Sequence, residues 1–188
     1  MKSVLRVFAG VAVASMFLVG CGGSDDSSGD GASVVGTWTW SKLTVNGITV
    51  NTANPAASTV GGSTEITPAW VTALAAQQGT AGVSVSVVVT INADGTVSGT
   101  GTMTAAGQAP VSQALTGTWT TSGDTLSMTI QGYTAAGTYT VTDNKLTVNM
   151  SNAQILAFVG AYSGQIGGVP AEYQALVDSL SGSIEFTR

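Results

Sequence analysis

Residues 83–104 read VSVSVVVTINADGTVSGTGTMT, a stretch in which apolar and hydroxyl side chains alternate along most of its length. A period of two is typical of a β-strand that turns one face toward an apolar core and the other toward solvent. Asn92-Ala93-Asp94-Gly95 interrupts the alternation with residues that favour turns. The stretch therefore predicts two antiparallel strands joined by a short connection.

The same alternation recurs along most of the chain after residue 33, with turn-forming residues between the segments. It predicts eight strands, at about residues 34–45, 82–92, 95–104, 110–121, 124–131, 136–142, 144–150 and 182–188. Asn46-Gly47 is expected to form a hairpin turn after the first strand. Because most connections are short, we predict an all-β fold, an eight-stranded antiparallel up-and-down barrel.

Two or three short helical insertions are predicted to interrupt the strands. Thr67 can cap a helix that begins at Pro68 and ends before Gly79. One face of this helix is expected to carry Trp70, Ala73, Leu74 and Gln77. Two further helices are predicted at about residues 153–162 and 170–180, where apolar side chains recur at helical spacing.

The composition excludes several classes of function. The chain has 188 residues, a formal net charge of -5, no histidine and one cysteine. Without histidine it cannot form a Ser-His-Asp triad or an imidazole zinc site, and one cysteine excludes an intramolecular disulfide. Five basic residues are too few for a nucleic-acid-binding surface. No pair of acidic residues suggests hydrolysis, so we expect no catalytic site. We also expect a monomer with no cofactor and no metal.

Residues 1–20 have the features of a secretory signal, since two basic residues precede an apolar segment at 7–18. That segment is short for a bilayer span, which disfavours the alternative of a membrane-anchor helix. It leads into Leu18-Val19-Gly20-Cys21, which resembles the lipobox of bacterial lipoproteins. The resemblance implies cleavage between Gly20 and Cys21, a diacylglycerol on the Cys21 sulfur and an acyl group such as palmitate on its new amine.

The segment after the cysteine predicts how the protein is displayed. Residues 21–32 are rich in glycine, serine and aspartate and are predicted to be a flexible tether, with the barrel domain at 33–188. Lipoproteins retained at the inner membrane usually have aspartate where this chain has Gly22, so the resemblance implies the outer membrane of the bacterial cell envelope. Residues 21–188 hold three basic and ten acidic residues. Membrane contact is therefore expected through the lipid anchor and not through anionic headgroups.

Four short motifs follow one another along the chain: Val35-Gly36-Thr37-Trp38, Asp94-Gly95-Thr96, Thr116-Gly117-Thr118-Trp119 and Gly123-Asp124-Thr125-Leu126. This series, within residues 34–150, resembles bacterial lipocalin-like domains. The resemblance implies a barrel that binds a small hydrophobic ligand. It also implies that Gly36 and Trp38 close the barrel together with a late arginine. Arg188 is the candidate, stacked on the Trp38 ring, and the alternative is a solvated C-terminal arginine.

The third predicted strand suggests space inside the barrel. Gly99 and Gly101 share its inward face, so two inward positions lack side chains. Either Trp38, Trp40 and Trp119 fill that space, or they line a site for a lipophilic ligand.

Two functions remain open at this stage. The first is carriage of a small hydrophobic ligand, with the helix around Trp70 as a lid. The second is a non-catalytic structural or interaction module with a filled core, in which Trp70 is a plug at the end of the barrel. A transmembrane barrel is disfavoured because the strands are short and variable and helices intervene.

Overall fold

A computed structural model describes residues 33–49, 59–77, 79–80, 82–154 and 180–188. Nine strands and one complete α-helix lie within these residues, and residues 152–154 are also helical. The elements are β1 (Gly36–Thr49), β2 (Thr59–Ile66), α1 (Pro68–Gln77), β3 (Ser84–Ile91), β4 (Thr96–Thr104), β5 (Val111–Ser122), β6 (Thr125–Ile130), β7 (Tyr133–Val141), β8 (Lys145–Met150) and β9 (Ser181–Thr187). The signal, the tether and most of the two later helices fall outside the described residues.

Eight of the strands close into a barrel. Strands β3 to β9 pair in chain order, each antiparallel to the next, and β1 pairs with both β3 and β9. The predicted fold class, an eight-stranded antiparallel up-and-down barrel, is therefore confirmed. Where β9 joins β1, Trp40 lies opposite Phe186 and Leu43 lies opposite Ile184. Large apolar side chains thus meet across the closing pair of strands.

A bulge in β1 changes which side chains face the core. The register between β1 and β9 shifts between Trp40 and Lys42, which leaves Ser41 as the extra residue. Before the bulge Trp38 and Trp40 are buried, and after it Leu43 is buried. A one-residue insertion reverses the alternation of faces, so Lys42 lies outside the barrel.

Strand β2 was not predicted. It pairs with the second half of β1. The first half of β1 pairs with β3 along the same edge. Its sequence, TVGGSTEI, lacks a clear alternation, and Gly61 and Gly62 both adopt positive φ. The expected hairpin turn at Asn46-Gly47 is wrong, because Gly47 lies at an irregularity inside β1, with φ of 94°, and the strand continues to Thr49.

Helix α1 begins and ends where the sequence predicts. The Trp70 amide donates to the Thr67 hydroxyl oxygen at 3.1 Å, and the chain leaves the helix at Gly79, with φ of 82°. Its buried residues are Val71 and Leu74. The predicted face is therefore wrong in part, since Ala73 and Gln77 are exposed while Trp70 is half-buried. None of the helical residues described forms a segment of the length and hydrophobicity that a bilayer span needs.

The two ends of the barrel differ in their connections. At one end, here called the base, Ser33 leads into β1 and the turns at 92–95, 123–124 and 142–144 are short. At the other end, here called the mouth, β1, β4, β6 and β8 end and β2, β5, β7 and β9 begin. Helix α1 contacts β2 and β3 at the mouth.

Glycines on the inner face allow neighbouring strands to approach closely. A Cβ on Gly99 would overlap the Val88 carbonyl oxygen of β3, and a Cβ on Gly117 would overlap the Thr129 carbonyl oxygen of β6. A Cβ on Gly137 would likewise overlap the Asn149 carbonyl oxygen of β8. The expectation that Gly99 leaves space in the interior is therefore wrong, because the backbone of β3 occupies that space. Such glycines let a sheet coil into a narrow barrel.

Candidate functional site

Trp38 is the largest buried side chain at the base. It is 0% exposed, and its indole Nε1 donates to the Val34 carbonyl oxygen at 2.7 Å. A buried indole stabilises the fold through its large apolar area, provided that its N–H has a partner. Trp38 therefore meets both requirements of a residue that seals one end of a barrel.

The Arg188 guanidinium lies over the Trp38 ring, with its Cζ 4.1 Å from the ring centroid. Its Nη2 donates to the carbonyl oxygens of Ser33 and Val35, at 2.8 and 2.7 Å, and its Nη1 donates to that of Asp143 at 3.0 Å. The side chain thus has the stacked arrangement that the resemblance implies, and it links the start of β1 to the turn before β8.

Gly36 completes this arrangement at the base. Its φ is 145°, and a Cβ at this position would lie 2.8 Å from Arg188 Nη2. Glycine is required for both reasons, since an L side chain disfavours the backbone conformation and would also displace the guanidinium.

A row of four charges crosses the outside of the seam where the barrel closes. Lys42 of β1 binds Glu65 of β2 at 2.8 Å and Glu185 of β9 at 3.3 Å, and Lys145 of β8 binds the other Glu185 oxygen at 2.8 Å. With Arg188 at the base, all three basic residues found after residue 6 lie on or against β9. The ion pairs therefore concentrate on the strand that closes the barrel.

These contacts shift the pKa values of the seam residues. Hydrogen bonds from Lys145 and then Lys42 lower the pKa of Glu185 below its ordinary value of 4.5. Hydrogen bonds to Glu65 and then Glu185 raise the pKa of Lys42 above 10.5. A carboxylate with a lowered pKa stabilises the fold fully above its unfolded pKa, and this contribution is lost as the pH falls through the folded pKa. For Glu185 the loss therefore begins below pH 4.5.

Glu185→Gln is expected to lower the free energy of unfolding by about 1 kcal/mol at neutral pH, because two lysines lose their shared carboxylate. The difference from the unmodified chain should shrink toward zero in acid, where Glu185 is itself protonated. Urea unfolding at a series of pH values measures this. Glu65→Gln is the matched control, since Glu65 has one lysine partner and a side chain 59% exposed. An equal effect of both substitutions, or a difference that does not change with pH, would contradict the prediction.

The described interior is closely packed around a very small cavity. This cavity is about 10 Å³ and is lined by Leu126, Met128, Ala135, Val148, Ile184 and Phe186. Such a volume holds about one water molecule, far less than a lipophilic ligand needs. No buried side-chain nitrogen or oxygen among the described residues lacks a hydrogen-bond partner. The packed interior therefore offers no unpaired polar group that would orient a ligand.

The structure does not gather the predicted ligand-binding residues around this cavity. Trp119 lies at the base, where its Nε1 donates to the Asn92 carbonyl oxygen at 2.7 Å, and Trp40 is buried beside Phe186. Trp70 lies on α1 at the mouth, half-buried. Gly101 is buried on the inner face of β4, and Gly99 is filled by the neighbouring backbone. Cys21 and Gly20 lie outside the described residues.

The mouth carries exposed apolar side chains that the sequence analysis missed. Within the part of the chain that the structure describes, the exposed large hydrophobic residues are Met103 and Val111, at 41% and 65%. They are opposite each other in the β4–β5 pair. Val111 shares a strand face with Leu115, which is 1% exposed. The sequence does carry a signal for Val111. It directly follows Ala109-Pro110 at the end of the loop before β5, and it shares a strand face with Leu115.

These features define a class of protein, a closed antiparallel barrel whose base is sealed by Trp38 and Arg188. The lipocalin-like domain family matches residues 34–148, more than half of the chain, and the protein belongs to that family. The matched residues include β1 to β7 and most of β8, and β9 lies beyond them. No curated protein and no solved structure matches the chain significantly. A lipocalin-like barrel is a fold that generally supports the binding of small ligands.

No group of three or more histidine, cysteine, aspartate or glutamate side chains within the described ranges could hold a metal ion. The predicted absence of a catalytic site stays a prediction.

Proposed function

We propose that this protein binds a small hydrophobic ligand and is held on the bacterial cell envelope by a lipid anchor at Cys21. The observation that carries the first part is the membership of residues 34–148 in the lipocalin-like family, together with a closed barrel whose base is sealed and whose mouth exposes apolar side chains. A ligand would then enter from the mouth, because Trp38 and Arg188 occupy the base.

The lipid anchor is supported by the sequence alone. Leu18-Val19-Gly20-Cys21 follows a short apolar segment, and Cys21 is the single cysteine of the chain. Several acyl chains on one residue give stable membrane attachment, whereas one chain is marginal. Gly22 after the cysteine supports the outer membrane as the location. The tether predicted at residues 21–32 would keep the barrel at a distance from the membrane surface.

Native mass spectrometry of the protein extracted from bacterial membranes tests both parts. The control is residues 21–188 with Cys21→Ala, since this form lacks the proposed attachment site and does not retain the signal that is proposed to be cleaved before Cys21. We expect the unmodified protein to carry the mass of a diacylglycerol and an acyl group, and the control to lack it. We also expect a second, non-covalent mass on both forms, with the stoichiometry of one ligand. Equal covalent masses would contradict the anchor.

A structural or interaction module with a filled core is the second candidate function. The cavity of about 10 Å³ among the described residues favours it, because the barrel packs its interior with its own side chains. Absence of a bound mass, together with failure of lipophilic dyes to bind, would favour this module over the carrier. The carrier would in that case be abandoned.

A further inference from the structure

The predicted tether joins the barrel at its base. Ser33, the first described residue, leads into β1, which begins at Gly36. The turns at 92–95, 123–124 and 142–144 lie at the same end, whereas α1 contacts the strands at the mouth. An anchor at Cys21 would therefore hold the barrel by one end and not by its side.

The point where the chain enters the barrel is fixed by hydrogen bonds. Arg188 Nη2 donates to the carbonyl oxygens of Ser33 and Val35, at 2.8 and 2.7 Å. Trp38 Nε1 donates to the Val34 carbonyl oxygen at 2.7 Å, and Val34 is itself buried. Three successive residues are thus bound to the base. The chain cannot separate from the base without breaking these bonds, so the tether cannot lengthen at the expense of β1.

The predicted tether is short compared with the barrel. Ser33 comes twelve residues after Cys21, and the residues between them are mostly glycine, serine and aspartate. A flexible chain of this length has an r.m.s. end-to-end distance of about 19 Å and spans at most about 40 Å when fully extended. The base is therefore expected within about 19 Å of the lipid headgroups in most conformations of the tether.

Turning the barrel over would stretch this tether. Strand β4 has nine residues and runs from the base to the mouth. At about 3.3 Å per residue and a tilt of about 40°, the barrel wall is about 23 Å tall. With the mouth toward the membrane, the tether would have to follow the whole wall and pass around the end of the barrel. Such a path exceeds its r.m.s. length, and the lost conformational entropy disfavours this orientation.

The charges of the base do not reverse this preference. Asp94, Asp124 and Asp143 are exposed, one in each turn of the base, and would repel anionic headgroups. In physiological salt the repulsion is screened over about 8 Å, less than half the r.m.s. length of the tether. The aspartates therefore keep the base off the membrane surface without turning the barrel over.

We infer that the barrel is displayed with its base toward the membrane that holds the anchor and with its mouth toward the aqueous side. The inference rests on the proposed lipid anchor and specifies how the anchor presents the barrel. A cargo or partner that reaches the mouth would then come from the aqueous side and not directly from the bilayer beneath the base.

Energy transfer from single labelled cysteines to a membrane acceptor tests this orientation. Ala93→Cys places a donor dye in an exposed turn of the base, and Ala109→Cys places it in an exposed loop of the mouth. The full chain is extracted from bacterial membranes and reconstituted in phosphatidylcholine vesicles with a short-range acceptor on the lipid headgroups. The Cys21 sulfur, bound to diacylglycerol, cannot take the dye. We expect transfer to be about threefold more efficient from position 93 than from position 109.

A longer tether is the matched control for the cause of the orientation. Twelve glycine and serine residues inserted after Gly31 raise the r.m.s. length to about 27 Å, more than the height of the barrel wall. We expect the difference between the two labels to fall below about twofold. Residues 21–188 with Cys21→Ala and Ala93→Cys, which lack the proposed attachment site, should show no transfer.

The outcomes separate this inference from the lipid anchor. If the extracted chain carries no covalent lipid, the anchor and the orientation are both overturned. If it is lipidated but the two labels transfer energy equally, or position 109 transfers more, the anchor stands and the orientation is wrong. If the difference survives the longer tether unchanged, the tether does not set the orientation and the inference is likewise overturned. A difference that the longer tether reduces supports it.

Discussion

Trp38→Ala is expected to lower the free energy of unfolding by about 4 kcal/mol, a large part of the stability of a domain this size. The ring is completely buried, so its removal leaves a cavity in a closely packed interior. The Val34 carbonyl oxygen also loses the indole N–H that it accepts. Both effects act in the same direction, so the loss exceeds that of an ordinary core truncation.

Urea unfolding followed by far-ultraviolet circular dichroism measures this loss. Trp70→Ala is the control, because Trp70 is only half-buried on α1 and should cost about 1 kcal/mol. If the two substitutions lowered the free energy of unfolding by similar amounts, Trp38 would not be the residue that seals the base.

A double-mutant cycle with Arg188→Ala measures the stacking separately from the burial. The coupling between the two positions is expected to be about 1 kcal/mol, the size of a cation–π contact that solvent reaches. A coupling near zero would mean that the guanidinium acts through its bonds to Ser33, Val35 and Asp143 alone.

Gly117→Ala is expected to cost about 3 kcal/mol, although it adds a single methyl group. The new Cβ would overlap the Thr129 carbonyl oxygen of the adjacent strand, which is backbone and cannot rotate away. Strands β5 and β6 would have to separate at the paired residues Gly117 and Ile130. The midpoint of thermal unfolding, measured by circular dichroism, should fall by several degrees or more.

Gly123→Ala is the matched control for this substitution. Gly123 lies in the turn between β5 and β6 with φ of 56°, and a Cβ there would have no heavy atom within 4 Å. Its cost is conformational only, about 1 kcal/mol. A larger loss of stability for Gly123→Ala than for Gly117→Ala would contradict the prediction. It would show that the close approach of β5 and β6 is not the reason why position 117 requires glycine.

The barrel could be predicted from the sequence because its signals are local. Alternation of apolar and hydroxyl side chains specifies which face of β3 or β6 is buried, and the turn residues specify where each strand ends. Thr67, Pro68 and Gly79 predicted the limits of α1 for the same reason. Each of these features depends on a few neighbouring residues.

Other features depend on residues far apart in the sequence and could not be predicted. Strand β2 has a glycine-rich sequence and is held by its register against β1. The role of Gly99 depends on the backbone of β3, which the sequence of β4 does not reveal. For the same reason the alternation predicted that Gly99 leaves a space, where the structure has a close strand contact.

The candidate site was predicted in part. The motif around Gly36 and Trp38 indicated the base, and the resemblance implied Arg188 as the stacking partner, with a solvated arginine as the alternative that the structure excludes. The exposure of Met103 and Val111 depends on where the packed core stops and which sector α1 covers. The alternation of apolar and polar residues predicts which face of a strand points inward. It does not predict how far along the barrel the packed core extends or which strands α1 covers.

The pairing of β9 with β1 has a consequence for how the protein is made. Ser41 and Glu185, which meet at this seam, are 144 positions apart in the sequence. During synthesis the first eight strands therefore emerge before the strand that joins them, and both β1 and β8 have open edges until it arrives. The barrel therefore stays unclosed for as long as β9 has not been made.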